Sequence, residues 1–391
     1  MAARPLYDAC VPAERSLRTE LRNLLYYGDL SFRDFVELAL YHPEFGYYAR
    51  SENPVGKGGD YVTAPSLSPV FSWSIAGLFR EFVRRSEGVL CSFVDIGCGD
   101  GGLVRSVAAQ IDEENVRFYG VDRSLNRVTG EGVTFVNSFD EVPRDGAHFI
   151  FSNELYDAIP FSRLVQRGEH LHELWVAERE GVLDWTEHEA APLYDDYFAV
   201  RGLELAEGQF ADVALEWEAF HADVLRHVSR ALVVTIDYGY PENKLFHSRA
   251  RRFGTAAAYS RHRVHRDLLA DPGEQDLTAH INFTDLERAG AREGAETLFF
   301  DRLARFLLSI GITGHELFRP VHEIAISGAE EGLEVLQARE DARRLVLPDG
   351  IGEDLRVLVQ GKNVPAEGWS FQQNDSRARS QSGDCGRRTP N

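Results

Sequence analysis

Cysteine is scarce in this chain of 391 residues, and no two cysteines form a CxxC pair. The four thiols belong to Cys10, Cys91, Cys98 and Cys385. A disulfide framework and a structural zinc site both need closely spaced cysteines, so the spacing excludes both and favours a reducing compartment.

Long apolar runs are also missing. No stretch approaches the roughly 18 apolar residues of a membrane helix, and the first residues lack the apolar core of a secretory signal. Several arginines near the start would suit a mitochondrial transit peptide, but the acidic Asp8 and Glu14 argue against one. We therefore expect a cytoplasmic protein without membrane insertion, or a mitochondrial matrix protein if the source is eukaryotic.

Positive charge is the third scarcity. The 42 lysines and arginines face 62 acidic residues, which gives a formal net charge of −20 and a pI near 5.1. Such a chain repels phosphates at long range, which argues against a nucleic-acid partner and favours a basic polypeptide or a small molecule. A solvated acidic surface that has no partner is the alternative explanation.

Apolar residues, in contrast, are plentiful enough for a sizeable core. Hydrophobic residues make up 43% of the chain and aromatic residues 11%, which indicates a globular protein of two or three domains. The hydrophobic pattern predicts helices over 17–27, 31–41, 68–86, 103–111, 215–229, 283–291, 300–309 and 331–341. It predicts strands over 89–96, 116–121, 133–136, 148–152, 231–237 and 356–359, and β-hairpins over 163–188. Strands that alternate with helices favour an α/β fold with a parallel sheet.

This pattern also suggests how the chain is divided. We expect a Rossmann-like core over 87–165 and 230–360, preceded by a helical region over 1–86 with a loop that covers a cofactor. Inserted substrate-binding elements, β-rich or loop-rich, are expected over 166–229 and 238–282, since a loop-rich segment of that length is usually functional. A tail rich in Ser, Gln, Arg and Gly is expected to be disordered over 363–391.

The segment VDIGCGDGG (94–102) matches two different ligand-binding patterns. Gly97, Gly99 and Gly102 satisfy GxGxxG, and Asp122 follows about 20 residues later, as a nicotinamide-dinucleotide site requires. The same residues satisfy the methyltransferase pattern of an acidic residue followed by GxG. In either case the glycines let the backbone approach a ligand, and Asp122 is placed to accept ribose hydroxyls.

Asp95 distinguishes the two interpretations. It lies two residues before Gly97, where its carboxylate would repel the pyrophosphate of a dinucleotide. The amino-acid part of S-adenosylmethionine presents an ammonium and a carboxylate there instead, so an acidic residue is tolerated or useful. The sequence therefore favours a methyltransferase over a nicotinamide-dependent oxidoreductase.

Polar residues emerge directly from the apolar run 148–152, at a strand end where open α/β sheets place ligands. We assign Asn153 to the cofactor and predict that Glu154 clamps a guanidinium, with Asp157 as its helper. Two carboxylates can hold a guanidinium bidentately and leave one nitrogen more nucleophilic. They would lie on one face if a helical turn followed the strand. The alternative is that Asn153 caps that helix and Asp157 lies at the surface.

The chain resembles the MidA-like methyltransferases, a family that includes a mitochondrial arginine methyltransferase needed to assemble respiratory complex I. The resemblance rests on seven motifs in the family's order: ELALYHPEFGYY (37–48), GDYVTAPSLSPVF (59–71), VDIGCGDGGL (94–103), SNELYDAIP (152–160), IDYGYP (236–241), GEQDLTAHINF (273–283) and RVLVQGKN (356–363). The family commonly has glutamate where Asp95 stands and leucine where Tyr156 stands, and the stretch 188–215 matches no motif.

The resemblance implies S-adenosylmethionine as cofactor, with Thr63 and Pro65 of the Gly/Pro-rich loop close to it. It places His280 in a hallmark segment, where a histidine paired with an acid would accept the proton of the methylated arginine or orient the clamp. His262 and His265 have no third ligand at suitable spacing, so we expect no metal.

The function expected on this basis is methylation of an arginine on a protein, such as a subunit of a quinone-linked NADH dehydrogenase. The alternatives are a small-molecule methyltransferase, the nicotinamide-dependent oxidoreductase and a non-catalytic assembly factor. A homodimer is a further expectation.

Overall fold

The computed structural model describes residues 16–49, 64–123, 132–260, 263–320, 324 and 329–372. Its α-helices are α1 (Leu17–Leu25), α2 (Phe32–Tyr41), α3 (Ala64–Leu67), α4 (Pro69–Arg85), α5 (Gly102–Ala108), α6 (Pro192–Ala199), α7 (Glu216–His227), α8 (Glu242–Leu245), α9 (Phe283–Arg292), α10 (Leu303–Ser309) and α11 (Ala329–Arg344).

Its strands are β1 (Leu30–Ser31), β2 (Cys91–Ile96), β3 (Val116–Val121), β4 (Thr134–Val136), β5 (Ala147–Asn153), β6 (Ser162–Arg167), β7 (His170–Arg179), β8 (Val182–Glu189), β9 (Phe210–Val213), β10 (Ala231–Tyr240), β11 (Ala257–Ser260), β12 (Arg263–His265), β13 (Asp276–Thr278), β14 (Ile281–Asn282), β15 (Ala295–Arg302) and β16 (Leu355–Lys362).

The central sheet has the strand order β15-β16-β10-β5-β2-β3-β4, and the short β14 pairs with β10. Pairing is parallel from β10 to β4, whereas β16 runs antiparallel to both β10 and β15. Because β2, β3, β5 and β10 are parallel, their carboxyl ends meet at one edge of the sheet. That is the edge where open α/β sheets bind ligands.

Helices cover both faces of this sheet. On one face Phe79 of α4 lies 5.3 Å from the ring of Phe93 and 5.6 Å from that of Phe149, and all three are fully buried. Burial of such a side chain contributes about 1.5–3 kcal/mol. On the other face Leu225 of α7 packs with Ile150 in a second apolar cluster. The sheet is therefore rigid behind its carboxyl edge.

A second sheet, of order β1-β7-β6-β9 with β8 paired to β7, is formed largely by residues 162–213. The predicted hairpin turn is confirmed: Glu180 and Gly181 join β7 to β8 with φ values of 53° and 83°, as a tight hairpin requires. The N-terminal segment contributes β1, which pairs Leu30 with Val176. Its helix α2 starts at the predicted N-cap, where the amide of Asp34 donates to Ser31 Oγ over 3.1 Å.

Three expectations about the chain after residue 237 are corrected. Strand β10 continues to Tyr240, and β12-β11-β13 form a small sheet, so 238–282 is not merely loop-rich. The helix predicted from residue 300 starts at Leu303, because residues 295–302 pair with β16. The tail predicted from residue 363 is ordered as far as Gln372, because Trp369 and Phe371 are buried against the core.

Across the described ranges, no helix is long and apolar enough to cross a membrane.

Candidate active site

The glycine turn follows β2 and has the backbone conformation that glycine favours. Gly97 and Gly99 have φ values of 74° and 54°, and the amide of Gly97 donates to the carbonyl of Val121 over 2.8 Å. A Cβ atom on Gly97 would come within 2.8 Å of Leu155, whereas one on Gly99 would meet nothing within 4 Å. The turn is therefore packed on one side and open at Gly99, as a ligand that approaches the backbone requires.

Asp122, immediately after β3, is fixed beside this turn. Its carboxylate Oδ2 accepts a 2.9 Å hydrogen bond from the amide of Gly99, and its own amide donates to the carbonyl of Val136 over 3.1 Å. A carboxylate held in this way beside an open glycine turn suits a diol such as a ribose.

Asp95 points from β2 into the same region and is only 3% exposed. Burial raises its pKa to about 8, and the nearby carboxylates of Asp122 and Asp100 add to the shift. A buried acid of this kind is stabilised in its charged form when a cation binds next to it. The ammonium group of an amino-acid ligand would supply that cation, so Asp95, Gly97, Gly99 and Asp122 fit S-adenosylmethionine.

Glu154 directly follows β5 in a left-handed conformation, with a φ of 52°. A non-glycine residue in this conformation stores about 1 kcal/mol or more and is often found at functional sites. Its Oε1 accepts a 2.8 Å hydrogen bond from Asn153 Nδ2. Burial raises the pKa of Glu154 to about 8; the bond from Asn153 opposes that shift, and the charge of Asp237 adds to it.

A tight turn follows Glu154, and the helical turn considered for residues 154–157 is wrong. The turn is held by the fully buried Asp237, whose Oδ2 accepts from the amides of Leu155 over 3.2 Å and Tyr156 over 2.8 Å. Asn153 therefore caps no helix here. Burial raises the pKa of Asp237 to about 7, although backbone amides that donate to it oppose the shift.

Asp157 and Asp276 complete a cluster of buried acids. Asp157 is 6% exposed and Asp276 4%, so the alternative of a surface position for Asp157 is wrong. Burial raises the pKa of Asp157 well above its usual range, and the charges of Asp237, Glu154 and Asp276 raise it further. We call Glu154, Asp157, Asp237 and Asp276 the acidic pocket.

Tyrosines surround the acidic pocket. Tyr48 donates to Asp276 Oδ1 over 3.0 Å and stacks on Tyr41, whose hydroxyl donates to the carbonyl of Ala158 over 2.9 Å. Burial raises the pKa of Tyr259, and the charges of Asp157 and Asp276 raise it further. Tyr48 thus donates to one acid of the pocket, and the raised pKa of Tyr259 keeps its hydroxyl available as a second donor.

His280 does not have the acidic partner that was expected. Its ring lies 6.1 Å from that of Tyr238 and 5.7 Å from that of Tyr240, and its Nδ1 atom has no hydrogen-bond partner among the described residues. Burial lowers its pKa to about 4, and the charge of Arg251 contributes to the shift. His280 is therefore a neutral imidazole against two tyrosines.

The remaining candidates lie at the margin of the site or outside it. Pro65 belongs to α3, next to Ala64, whose backbone amide donates to Glu154. Thr63 and His262 lie outside the described residues, and His265 is 3.2 Å from Ser260 Oγ through Nε2. In the part of the chain that the structure describes, no group of three His, Cys, Asp or Glu side chains is arranged to hold a metal.

The site residues predicted from the sequence did not include Asp237 and Asp276, although Asp237 lies in the motif IDYGYP and Asp276 in GEQDLTAHINF. An acid after an apolar run and an acid shortly before His280 could have been taken as candidates, but their spacing in the sequence does not predict contact with Glu154. The structure brings Glu154, Asp157, Asp237 and Asp276 together. His280 is not part of this group: it stacks on Tyr238, and Tyr238 in turn lies close to Glu154 and Asp157.

The strand order, the antiparallel β16 and the acid-glycine turn at the carboxyl edge define a class I methyltransferase fold. A family profile described as "Putative S-adenosyl-L-methionine-dependent methyltransferase" matches residues 86–300. The chain belongs to this family, and S-adenosylmethionine is its methyl donor. The methyltransferase interpretation of the glycine turn is thus confirmed over the nicotinamide alternative.

Two curated relatives align with about two thirds of the chain or slightly more. It is 22% identical to the mitochondrial protein arginine methyltransferase NDUFAF7 of Danio rerio over 67% of this chain and 68% of the relative. For the human protein of the same name the identity is 23%, over 71% and 70%. A crystal structure from Burkholderia thailandensis, bound to S-adenosyl-homocysteine, is 25% identical with a TM-score of 0.79, covering 91% of this chain and 94% of that one.

Proposed function

We propose that this enzyme transfers a methyl group from S-adenosylmethionine to the guanidinium of an arginine on a protein. The acidic pocket carries the proposal, because three buried carboxyl groups and the half-buried Glu154, next to the glycine turn, suit a large organic cation. The names of the relatives in Danio rerio and human, which are protein arginine methyltransferases, support the same acceptor. A subunit of a quinone-linked NADH dehydrogenase is the acceptor that we propose to test first.

The two halves of the site would divide the work. S-adenosylmethionine, when bound, supplies an electrophilic methyl group on a sulfonium. Asp95 would bind its ammonium group and Asp122 its ribose. Gly97 and Gly99 would allow it to approach the backbone closely. Asn153, which bridges to Glu154, would connect the cofactor side to the acceptor side. Pro65 and Thr63 are proposed to border the cofactor.

In the acidic pocket, Glu154 and Asp157 would hold the guanidinium and keep its positive charge on two nitrogens. The third nitrogen is then the nucleophile: it gains the methyl group and must lose a proton. Glu154 suits the role of proton acceptor, because burial raises its pKa to about 8. His280 is the weaker candidate for that proton, since its pKa is lowered to about 4. We propose instead that it positions Tyr238 along the pocket.

The direct test is incubation of the protein with methyl-labelled S-adenosylmethionine and arginine-containing acceptors, followed by amino-acid analysis. We expect label in methylarginine and none in methyllysine or methylated carboxyl groups. A small metabolite that is labelled while every protein and peptide acceptor stays unlabelled would favour the small-molecule methyltransferase. Cofactor binding without any transfer would favour the non-catalytic assembly factor.

The compartment is part of the same proposal. Cys91 and Cys98 are both free thiols, which suits a reducing compartment. The curated relatives are mitochondrial. We propose the cytoplasm, or the mitochondrial matrix in a eukaryotic host. A homodimer remains a proposal that the mass of the purified protein in solution would test.

A further inference from the structure

A groove of about 710 Å³ lies at the carboxyl edge of β15 and β10, on the side of the sheet away from the glycine turn. Its lining includes Tyr240 at the end of β10 and Arg356 near the start of β16. Lys244 of α8 and the side chains of α10 form its other walls. None of these residues belongs to the glycine turn or to the acidic pocket.

Unpaired positive charge distinguishes this groove from the rest of an acidic chain. Two of its arginines are neutralised locally, since Arg302 pairs with Glu353 over 2.5 Å and Arg305 with Asp301 over 2.6 Å. Lys244 is exposed and pairs with no carboxylate among the described residues. The protein has a formal net charge of −20, so a positive charge without an acidic partner in this groove points to an acidic ligand.

Two more cations gather on the ring of Tyr240. The guanidinium of Arg356, which lines the groove, lies 5.2 Å from the centre of this ring, and that of Arg251, which is next to the groove and not part of its lining, lies 4.0 Å from it. Arg356 Nη1 donates to three backbone carbonyls and not to a carboxylate. The buried Nε of Arg251 has no hydrogen-bond partner among the described residues. We call Lys244, Arg251 and Arg356 the basic rim.

A row of rings connects the basic rim to the acidic pocket. Tyr240 lines the groove and lies 5.7 Å from His280, which lies 6.1 Å from Tyr238. The hydroxyl of Tyr238 is close enough to Glu154 and Asp157 for their charges to raise its pKa. Since an extended chain advances by about 3.3–3.6 Å per residue, the two ring-to-ring steps between Tyr240 and Tyr238 span at most about three or four residues.

We propose that the basic rim binds a carboxylate side chain of the methyl-accepting polypeptide, a few residues away from the arginine in the acidic pocket. This inference rests on the proposed function, because it assumes that the acceptor is a polypeptide. The acidic pocket and the basic rim then recognise an arginine and a nearby acidic residue of the same polypeptide. Acceptors with further basic residues near the arginine are disfavoured, since the basic rim repels them.

The test uses fluorescein-labelled peptides with a central arginine, in which a single glutamate is moved through the flanking positions. Matched peptides carry glutamine at each position. Binding is measured by anisotropy in the presence of S-adenosyl-homocysteine, and methylation is measured separately. We expect the best glutamate peptide to bind about fivefold more tightly than its glutamine partner, the scale of a partly exposed ion pair. The preference should shrink at high salt.

The variant Lys244→Gln/Arg251→Gln should bring the ratio of the two dissociation constants close to one. Because a ratio is measured within each variant, a general loss of binding cancels. The control Arg249→Gln removes an exposed charge two residues from Arg251 that neither lines the groove nor lies over the Tyr240 ring, and it should keep the preference. Lys244→Glu lowers the charge of the basic rim more than Lys244→Gln does and should therefore reduce the preference further than Lys244→Gln.

The outcomes distinguish failure of the groove inference from failure of the proposed arginine acceptor. Equal binding of glutamate and glutamine peptides at every position, together with methylation of arginine, would overturn the groove inference and leave the proposed function standing. A glutamate preference that depends on Lys244 and Arg251, without methylation of any peptide, would support the groove and count against the proposed acceptor. A preference that survives in the double variant would show that the basic rim is not its source.

Discussion

The glycine turn and the acidic pocket lie at the same edge of the sheet but are built in different ways. The glycine turn comes from two neighbouring strands and is held mostly by backbone atoms, with Asp122 accepting from Gly99. The acidic pocket draws its four carboxyl groups from the turn after β5, from β10 and from β13. The first is local and the second exists only when distant segments meet, so substitutions in the two should have separable effects.

Glu154→Gln should have the largest effect, and it should fall on methyl transfer. The change keeps the shape of the side chain but removes the charge that would localise the guanidinium. Loss of a preorganised electrostatic group costs about 10²–10³-fold in rate. Single-turnover methylation measures this loss, while calorimetry with S-adenosyl-homocysteine should give an affinity close to wild type.

The matched control is Glu180→Gln, since Glu180 is also left-handed, with a φ of 53°, but lies exposed in the β7–β8 turn. It should transfer methyl at the wild-type rate. A wild-type rate for Glu154→Gln as well would remove Glu154 from the clamp. Asp157→Asn should show the same defect as Glu154→Gln in a milder form.

Asp122→Ala should affect the other half of the site. Loss of hydrogen bonds to a charged group is expected to weaken cofactor affinity by about 2–3 kcal/mol. Asp122→Asn keeps an acceptor for the Gly99 amide and should be less severe. Calorimetry with S-adenosyl-homocysteine measures both variants. An unchanged affinity in the alanine variant would show that Asp122 only ends its strand.

The pH dependence of peptide binding should follow ionisation of the acidic pocket. Glu154 and Asp237 have pKa values raised to about 8 and 7, and a cation binds best when they are ionised. Affinity for an arginine peptide should therefore rise with pH up to about 8 and then level off. Anisotropy at a series of pH values tests this. A flat profile would mean that the peptide does not enter the acidic pocket.

Stability of the ligand-free protein should change with pH in the opposite direction. A carboxyl group whose folded pKa lies above its unfolded value stabilises the fold at low pH, and this contribution is lost as pH rises through the folded pKa. With unfolded values near 4 and folded values of about 8, 8 and 7 for Asp95, Glu154 and Asp237, the melting temperature should fall from about pH 4 to about pH 8 and then level off. Glu154→Gln should make that fall shallower, as thermal scans can show.

The smallest effect is expected from Tyr156→Phe, which lies behind the acidic pocket. Tyr156 Oη is 2.7 Å from Nδ1 of the buried His221, whose Nε2 is 2.6 Å from Gln360 Oε1. Removal of the hydroxyl leaves a buried nitrogen without a partner, at a cost of about 1–3 kcal/mol in the free energy of unfolding. Chemical denaturation measures that cost. Unchanged stability would mean that the hydrogen bond between Tyr156 and His221 does not stabilise the fold.

Secondary structure near the glycine turn was predictable because its signals are local. An apolar strand, left-handed glycines and an acid after the next strand lie within about thirty residues. The wrong predictions of secondary structure concern segments whose structure depends on contacts with residues far away in the sequence. Residues 300–302 extend a strand because β16 lies beside them, and Trp369 is ordered because the core accepts it, with the guanidinium of Arg85 over its ring at 4.6 Å.

The sequence by itself determined the methyltransferase class, since Asp95 and the glycines form one continuous segment whose chemistry depends on neighbours along the chain. It also pointed to Glu154 and Asp157 at the end of a strand. Only the tertiary structure decided that Asp237 and Asp276 join them, and that His280 is neutral against tyrosines. The physical reason is that pKa values and cation affinity depend on burial and on distances between charges, which segments far apart in the chain acquire only on folding.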